Sequence, residues 1–298
     1  MTGNQRRAVL LGGAYALLGG RATGASPDRA PIRLGVIDLS FHRATAAVVT
    51  ALLERMGHRV ERHFALHEAC FDLLRTGAVD MVASAWLNAS HGVYRARVDE
   101  VAPTRALGLH YQPYAFWGVP DYVPSSIVSG IQDLLLPEVR ARMHPVIQGI
   151  GPGAGISRFS VKAMEAYGLR EAGYRFQNGS EEDCFTAFEQ AVAEQQWRVV
   201  PLWQPQFLHA RHKIRELKDP RQLFGGVDRA VLLAREDRLK ALPEDTVQAL
   251  DRMRLSNGIV SALDLAISRL GQSPDEAAAE WMREHGDRWQ PWLERAGN

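Results

Sequence analysis

The sequence predicts an α/β protein of two lobes with a helical C-terminal section. Three observations carry that expectation: strand-like and helical runs alternate from residue 32, the same alternation restarts near residue 114, and only helical spacing follows Leu239.

In the first half, "IRLGVID" is a short apolar run bounded by turn-type residues. "ATAAVVTALLERMG" then has helical period and closes on Gly57, a residue type that ends helices well. "HRVERHFA" reads as a second strand, "ACFDLLRTG" as a helix closing on Gly77, and "VDMVASAW" as a third strand. Strands separated by helices imply a parallel sheet, and in such sheets ligands collect beyond the carboxyl ends of the strands. Trp86 and, after a short polar stretch, His91 lie at one of those ends.

The second half begins with "YAFWGVP" as a strand and "SIVSGIQDLL" as a helix. "HPVIQGIGPGAGISRFSVKAMEAYG" supplies a strand, a glycine-rich turn and a long helix ending near Gly168. Ser180 is an N-cap for the helix "EEDCFTAFEQAVAEQQ", and "WRVVPLWQPQF" is another strand ending in aromatic residues. The last part reads as helices in "LPEDTVQALDRMR", "GIVSALDLAISRLG" and "SPDEAAAEWMREHG", the third with Ser273 as N-cap and Pro274 at the first helical position.

Composition narrows the function. With 46% hydrophobic and 23% charged residues over 298 positions, the chain can bury two cores, and a formal charge of +1 supplies no field for nucleic acid. Residues 1–30 read as a signal and leader: Arg6 and Arg7 precede "AVLLGGAYALLGG", then small residues follow. That order predicts export to the periplasm by the general secretory route, with twin-arginine export as the variant. The apolar stretch falls short of the roughly 20 residues that span a bilayer. His63, His67 and Cys70 are zinc-ligand types, but no fourth ligand is evident and the segment reads as a strand entering a helix. No metal, cofactor motif or nucleophile–base pair is found, which argues against an enzyme.

Four segments taken in order carry a resemblance: "DMVASAWLNASHGVY", "GIGPGAGISRFSVKAMEAYGL", "VVPLWQPQFLHARHKIRELKDP" and "SPDEAAAEWM". Together, across residues 32–293, they resemble the glycine betaine/choline-binding family of ABC-transporter substrate-binding proteins. The resemblance implies a type II periplasmic-binding-protein fold, two lobes on a hinge with a ligand cleft between them. It places residues 32–113 and 219–298 in lobe 1 and residues 114–218 in lobe 2. It also implies a monomer that delivers a small quaternary-ammonium or zwitterionic ligand to an ABC permease. A ligand-sensing module of the same fold is the alternative.

The chemistry such a ligand needs is simple. A fully alkylated ammonium cannot donate a hydrogen bond, so it is held by electron-rich ring faces, and Trp86 and Trp203 resemble two indoles of the family's aromatic box. A carboxylate needs donors. The backbone N–H groups of Gly155 and Ile156 at a helix start resemble the family's anion cradle, and His91 resembles its side-chain donor. The pattern also departs from the family. Leu39 stands where a third tryptophan is usual, with Phe41 two residues on as a substitute, and Asn88 replaces a proline. Gln206 and Phe207 replace a His-Trp pair, and Gly151 replaces an acidic residue. A smaller box leaves choline, carnitine, sulfonium analogues and less alkylated zwitterions open beside glycine betaine. Because the mapping puts Cys70 and Cys184 on different lobes, both are expected as free thiols.

Overall fold

Five strands, β1 (Ile32–Ile37), β2 (Val60–Ala65), β3 (Met81–Leu87), β4 (Thr104–Tyr111) and, after five that belong to the second half, β10 (Arg229–Arg235), form one sheet in the order β2-β1-β3-β10-β4 in the computed structural model. The structure describes residues 30–294, and the chain divides into units Met1–Ala30 and Pro31–Asn298. The expected signal therefore lies outside the described residues. No helix among the described residues is long and apolar enough to cross a membrane.

The β1 to β3 run follows the expected parallel plan, with Leu34 opposite both Arg62 and Met81. Gly35 lets the layers close: a Cβ there would meet Val82 at 3.0 Å and Cys70 Sγ at 3.1 Å. The helices Ser40–Arg55 and His67–Thr76 flank this sheet, the second ending on Gly77 in the left-handed region.

β10 departs from the parallel plan. "RAVLLAR" returns from the second half and inserts antiparallel between β3 and β4, so an interior strand of the sheet is the last in sequence. Ala230 pairs with Trp86 on one side and Tyr111 on the other. Its small side chain leaves the space in which these two larger residues meet.

The second half contains β5 (Tyr114–Pro120), β6 (Val146–Gln148), β7 (Arg175–Gln177), β8 (Val200–Gln204) and β9 (Ile214–Glu216). β8-β5-β9 is one antiparallel sheet, with Trp203 opposite Ala115, and β6-β7 is a parallel pair. The helices Gly155–Ala166 and Glu181–Ala193 pack on them, the latter capped by Ser180, whose Oγ accepts from the Asp183 N–H at 3.0 Å. The helix expected over residues 126–135 is only a 3-10 turn, Ile131–Leu135. The Asp133 carboxylate accepts from the N–H groups of Ser129 (2.7 Å) and Gly130 (2.9 Å), satisfying the backbone in an extended entry instead.

Of the C-terminal helices, Glu244–Arg252 packs on β4, while Asn257–Leu270 and Pro274–Glu284 pack on the helix Ser40–Arg55. Ser273 Oγ accepts from the Glu276 N–H while the Glu276 carboxylate accepts from the Ser273 N–H, a reciprocal cap behind Pro274. Trp281 and Trp292 stack at 6.2 Å inside this layer, and Trp117 is fully buried, with Nε1 donating to Ser160 Oγ. Two chain crossings join the halves side by side: Asp228 N donates to the Pro113 carbonyl at 2.7 Å.

Candidate functional site

The carboxyl end of β3 builds the first wall of the site. Asn88 adopts φ 84°, a left-handed conformation that asparagine tolerates and the proline usual in this motif cannot reach. The turn returns the His91 N–H to the Trp86 carbonyl at 2.8 Å, and the Trp86 N–H donates to His91 Nδ1 at 2.9 Å. The two residues that the sequence separates by a polar stretch are thus locked to one another.

A buried hydrogen-bond chain then fixes the ring of Trp86. Its Nε1 donates to Tyr111 Oη at 2.9 Å, Tyr111 Oη contacts Ser84 Oγ, and Ser84 Oγ lies 2.7 Å from His42 Nδ1. With the indole N–H satisfied at its edge, the ring is held without a polar demand on its face.

The opposite wall comes from the second half of the chain. Trp203 near the end of β8 and the start of the helix Gly155–Ala166 face Trp86 across a cavity of about 20 Å³. Leu39, Phe41, Trp86, His91, Gly155, Ile156 and Trp203 all border it, together with His42, His67 and Ser90. Phe41 stands 5.5 Å from Trp86 and 5.8 Å from Trp203, centroid to centroid, so it lies between the two indoles. Leu39 lines the same space as an aliphatic wall.

Two of the residues expected at the site are elsewhere. Gln206 and Phe207 do not border the cavity, because the chain turns into the helix Leu208–Arg211 directly after them. Phe207 packs edge-on to Phe185 at 4.7 Å, with the Arg269 guanidinium 4.3 Å over its ring. Gln206 is fully buried, and its N–H donates to Ser261 Oγ at 3.2 Å. Both serve the packing of the second half on the helix Asn257–Leu270.

His91 borders the cavity; its Nδ1 accepts from the Trp86 N–H and its Nε2 lies 3.1 Å from His67 Nδ1. His67 was visible in the sequence only as a zinc-type residue. Among the described residues no group of three His, Cys, Asp or Glu side chains has metal-holding geometry.

The imidazoles of the site carry no positive charge. Burial pushes His42 and His91 well below the usual imidazole pKa and His67 down to about 4, with neighbouring imidazoles and Arg158 adding to the shifts. The three rings are neutral near pH 7.

The walls are clasped around Arg158. Its Nη1 donates to Tyr94 Oη (2.9 Å) and to the Gly153 carbonyl (2.5 Å), and its Nη2 donates to the Ser90 carbonyl. Tyr94 Oη donates to the same Gly153 carbonyl at 2.8 Å. Further out, a space of about 620 Å³ opens beside the cavity, sharing Leu39, His67 and Ile150 with it. On its wall the Glu181 carboxylate accepts from the Ser40 N–H (3.0 Å) and Oγ (3.3 Å), at the start of a helix of the opposite half. Burial, then nearby Asp264, raises the Glu181 pKa to about 8.

Cys70 and Cys184 are both free and buried, and burial raises the Cys70 thiol to about 12 and the Cys184 thiol further.

Known proteins share this fold. The family described as the substrate-binding domain of ABC-type glycine betaine transport systems matches residues 30–284. The glycine betaine/carnitine transport binding protein GbuC of Listeria monocytogenes is 26% identical over 156 residues, 51% of this chain and 50% of that protein. The chain thus spans about half the length of that curated relative. Lactococcal OpuAC, closed on glycine betaine, superposes with a TM-score of 0.78 at 22% identity, covering 89% of this chain and 99% of that one. ProX of Borrelia burgdorferi gives 0.79 at 22% identity over 89% and 97% of the two chains. A choline-binding protein in complex with choline gives 0.78 at 18% identity over 88% and 91%. These likenesses establish a two-lobed α/β binding fold with a cleft between the lobes, and the family match over residues 30–284 decides the rest: the chain belongs to the substrate-binding domains of ABC-type glycine betaine transport systems.

Proposed function

We propose that this protein binds glycine betaine, choline or a closely related quaternary-ammonium compound in the cavity between Phe41, Trp86 and Trp203, and delivers it unchanged to an ABC permease. Proteins of this family are the extracytoplasmic ligand-binding components of ABC importers and work with permease subunits. The observation that carries the reading is the convergence of three aromatic rings from both halves of the chain on one enclosed space. Such faces hold a cation that cannot hydrogen-bond, each contributing about 0.5–2 kcal/mol, more when water is excluded.

The backbone N–H groups of Gly155 and Ile156 are the first two of a helix and have no partners within it, so they suit a carboxylate at the other end of the ligand. Phe41 takes the place of the third indole. Ligand joins the two walls and shifts the population toward the closed form, which the Arg158 clasp then stabilises.

We draw the lobes as residues 31–113 with 227–294, and residues 114–226. The return crossing then falls later than residue 219, a division supported by Tyr167 Oη donating to Asp219 at 2.6 Å and by Phe224 packing 5.7 Å from Trp117. Export to the periplasm through the N-terminal signal fits the same role.

A thermal-shift and calorimetry panel of glycine betaine, choline, carnitine, sulfonium analogues and ordinary amino acids tests the reading. Quaternary and sulfonium compounds should raise the melting temperature. A response to amino acids alone would remove the proposed class.

A further inference from the structure

We propose that the outer space beside the aromatic cavity is a second subsite, which takes an uncharged apolar chain attached to the ligand's ammonium head, with Leu39 at the junction of the two. The inference rests on the ligand reading above and narrows the substrate class to trimethylammonium compounds that carry an acyl or alkyl tail.

Room and continuity place the tail. The cavity among the rings measures about 20 Å³ and the space beside it about 620 Å³, a size within the roughly 300–1,000 Å³ of small-molecule sites. Leu39, His67 and Ile150 border both, so a chain that leaves the rings enters the larger space past these three side chains. His67 is neutral near pH 7 because burial pushes its pKa down to about 4, so the junction carries no charge.

The wall decides the kind of tail. Leu39, Leu66, Ile150, Phe185 and Ile267 line the outer space with apolar side chains from both halves of the chain and from the helix Asn257–Leu270. Leu66 is 58% exposed, which leaves apolar surface for a chain to cover. The charged residues of the wall are already matched. Arg43 Nε donates to Asp38 at 2.7 Å, Arg97 Nη1 donates to Glu68 at 2.5 Å, and Arg269 Nη2 lies 3.3 Å from Glu182 and 3.2 Å from Glu189. Glu181 is protonated near pH 7, raised by burial and then by Asp264. A charged tail would have to compete with these pairs, whereas an uncharged one displaces only water from apolar surface.

The test is isothermal calorimetry on the full-length protein with choline and its acetyl, butyryl and hexanoyl esters. None of these carries a carboxylate, so the series reads the tail alone. Affinity is expected to rise about fourfold or more from the acetyl to the butyryl ester and again to the hexanoyl ester, as two methylenes leave water at each step. The heat-capacity change of binding should grow more negative along the series. The monosuccinyl ester, similar in length to the butyryl ester but ending in a carboxylate, should bind no better than the acetyl ester. Leu39→Trp fills the junction, and Ile267→Asp puts a charge on the wall of the outer space alone. In each variant the ratio of butyryl to acetyl ester affinity should fall to about 1.

Affinity that is flat or falls with chain length in the wild type would overturn the subsite while leaving the rings as the site of the head. A chain-length gain preserved in both variants would put the tail elsewhere and overturn it as well. Tighter binding of the monosuccinyl than of the butyryl ester would overturn the uncharged class. A wild-type protein that binds neither glycine betaine, choline nor any ester overturns the ligand reading and this inference with it, a result distinct from choline binding without a gain from the tail.

Discussion

Gly155 and Ser90, from opposite walls of the cleft, touch so closely that a Cβ on Gly155 would lie 2.1 Å from Ser90 Oγ, 2.9 Å from its Cβ and 3.1 Å from its Cα. The glycine is required by this approach, since its backbone is not in the left-handed region. Rotating the hydroxyl removes only the first of the three overlaps. Gly155→Ala is therefore expected to oppose closure and weaken ligand binding by about tenfold, with the ligand-free melting temperature nearly unchanged. Small-angle scattering should show a more open protein at saturating ligand. Recovery in Gly155→Ala with Ser90→Gly would confirm the contact as the cause, and full affinity in Gly155→Ala alone would refute it.

The ring trio makes a second prediction. Trp86→Ala and Trp203→Ala should each weaken binding of a quaternary ammonium at least about tenfold, and Phe41→Ala by about three- to tenfold. The losses should be similar for glycine betaine and choline, because the rings grip the shared cation. Calorimetry finding unchanged affinity in both tryptophan variants would count against the cage.

Glu181 predicts a pH dependence of stability. Its folded pKa of about 8 lies above the ordinary carboxylate value because of burial, then Asp264, while the Ser40 hydrogen bonds and Arg43 pull the other way without prevailing. Between roughly pH 4.5 and 8 the folded protein holds a proton that the unfolded chain releases. The contribution is complete below the unfolded pKa and is lost as pH rises through the folded one. The three histidines act oppositely: their depressed values make stability fall as pH drops below about 6.5. The melting temperature of Glu181→Gln, measured from pH 6.5 to 8.5, should fall less than that of the wild type. Parallel curves would show that Glu181 titrates normally.

The thiols give a chemical test. Buried Cys70 and Cys184, with pKa values pushed upward, should both be unreactive in the native protein and both titrate with a thiol reagent after denaturation. A denatured protein with no free thiol would refute the placement.

The amino-acid sequence determined what local chemistry can encode. Period and caps set most elements: Gly77 ends one helix, Ser180 and the Ser273–Pro274 pair start others, and the apolar runs become strands. The run to Trp86, the glycine turn and Trp203 also marked residues that end at one cavity, because ring faces and helix-start N–H groups are requirements of residue type. Only the tertiary structure decided what depends on return paths and on distant partners. β10 entered the interior of the first sheet by pairing with β3 and β4, which joins segments more than a hundred residues apart. Phe207 and Phe41 look alike in sequence, yet the chain reversal after β8 sends one under Arg269, while a helix start aims the other between two indoles. The hydrogen-bond partners of His67 and His91 were set the same way, since the proton on an imidazole is assigned by the neighbour across the fold and not by its own position in the chain.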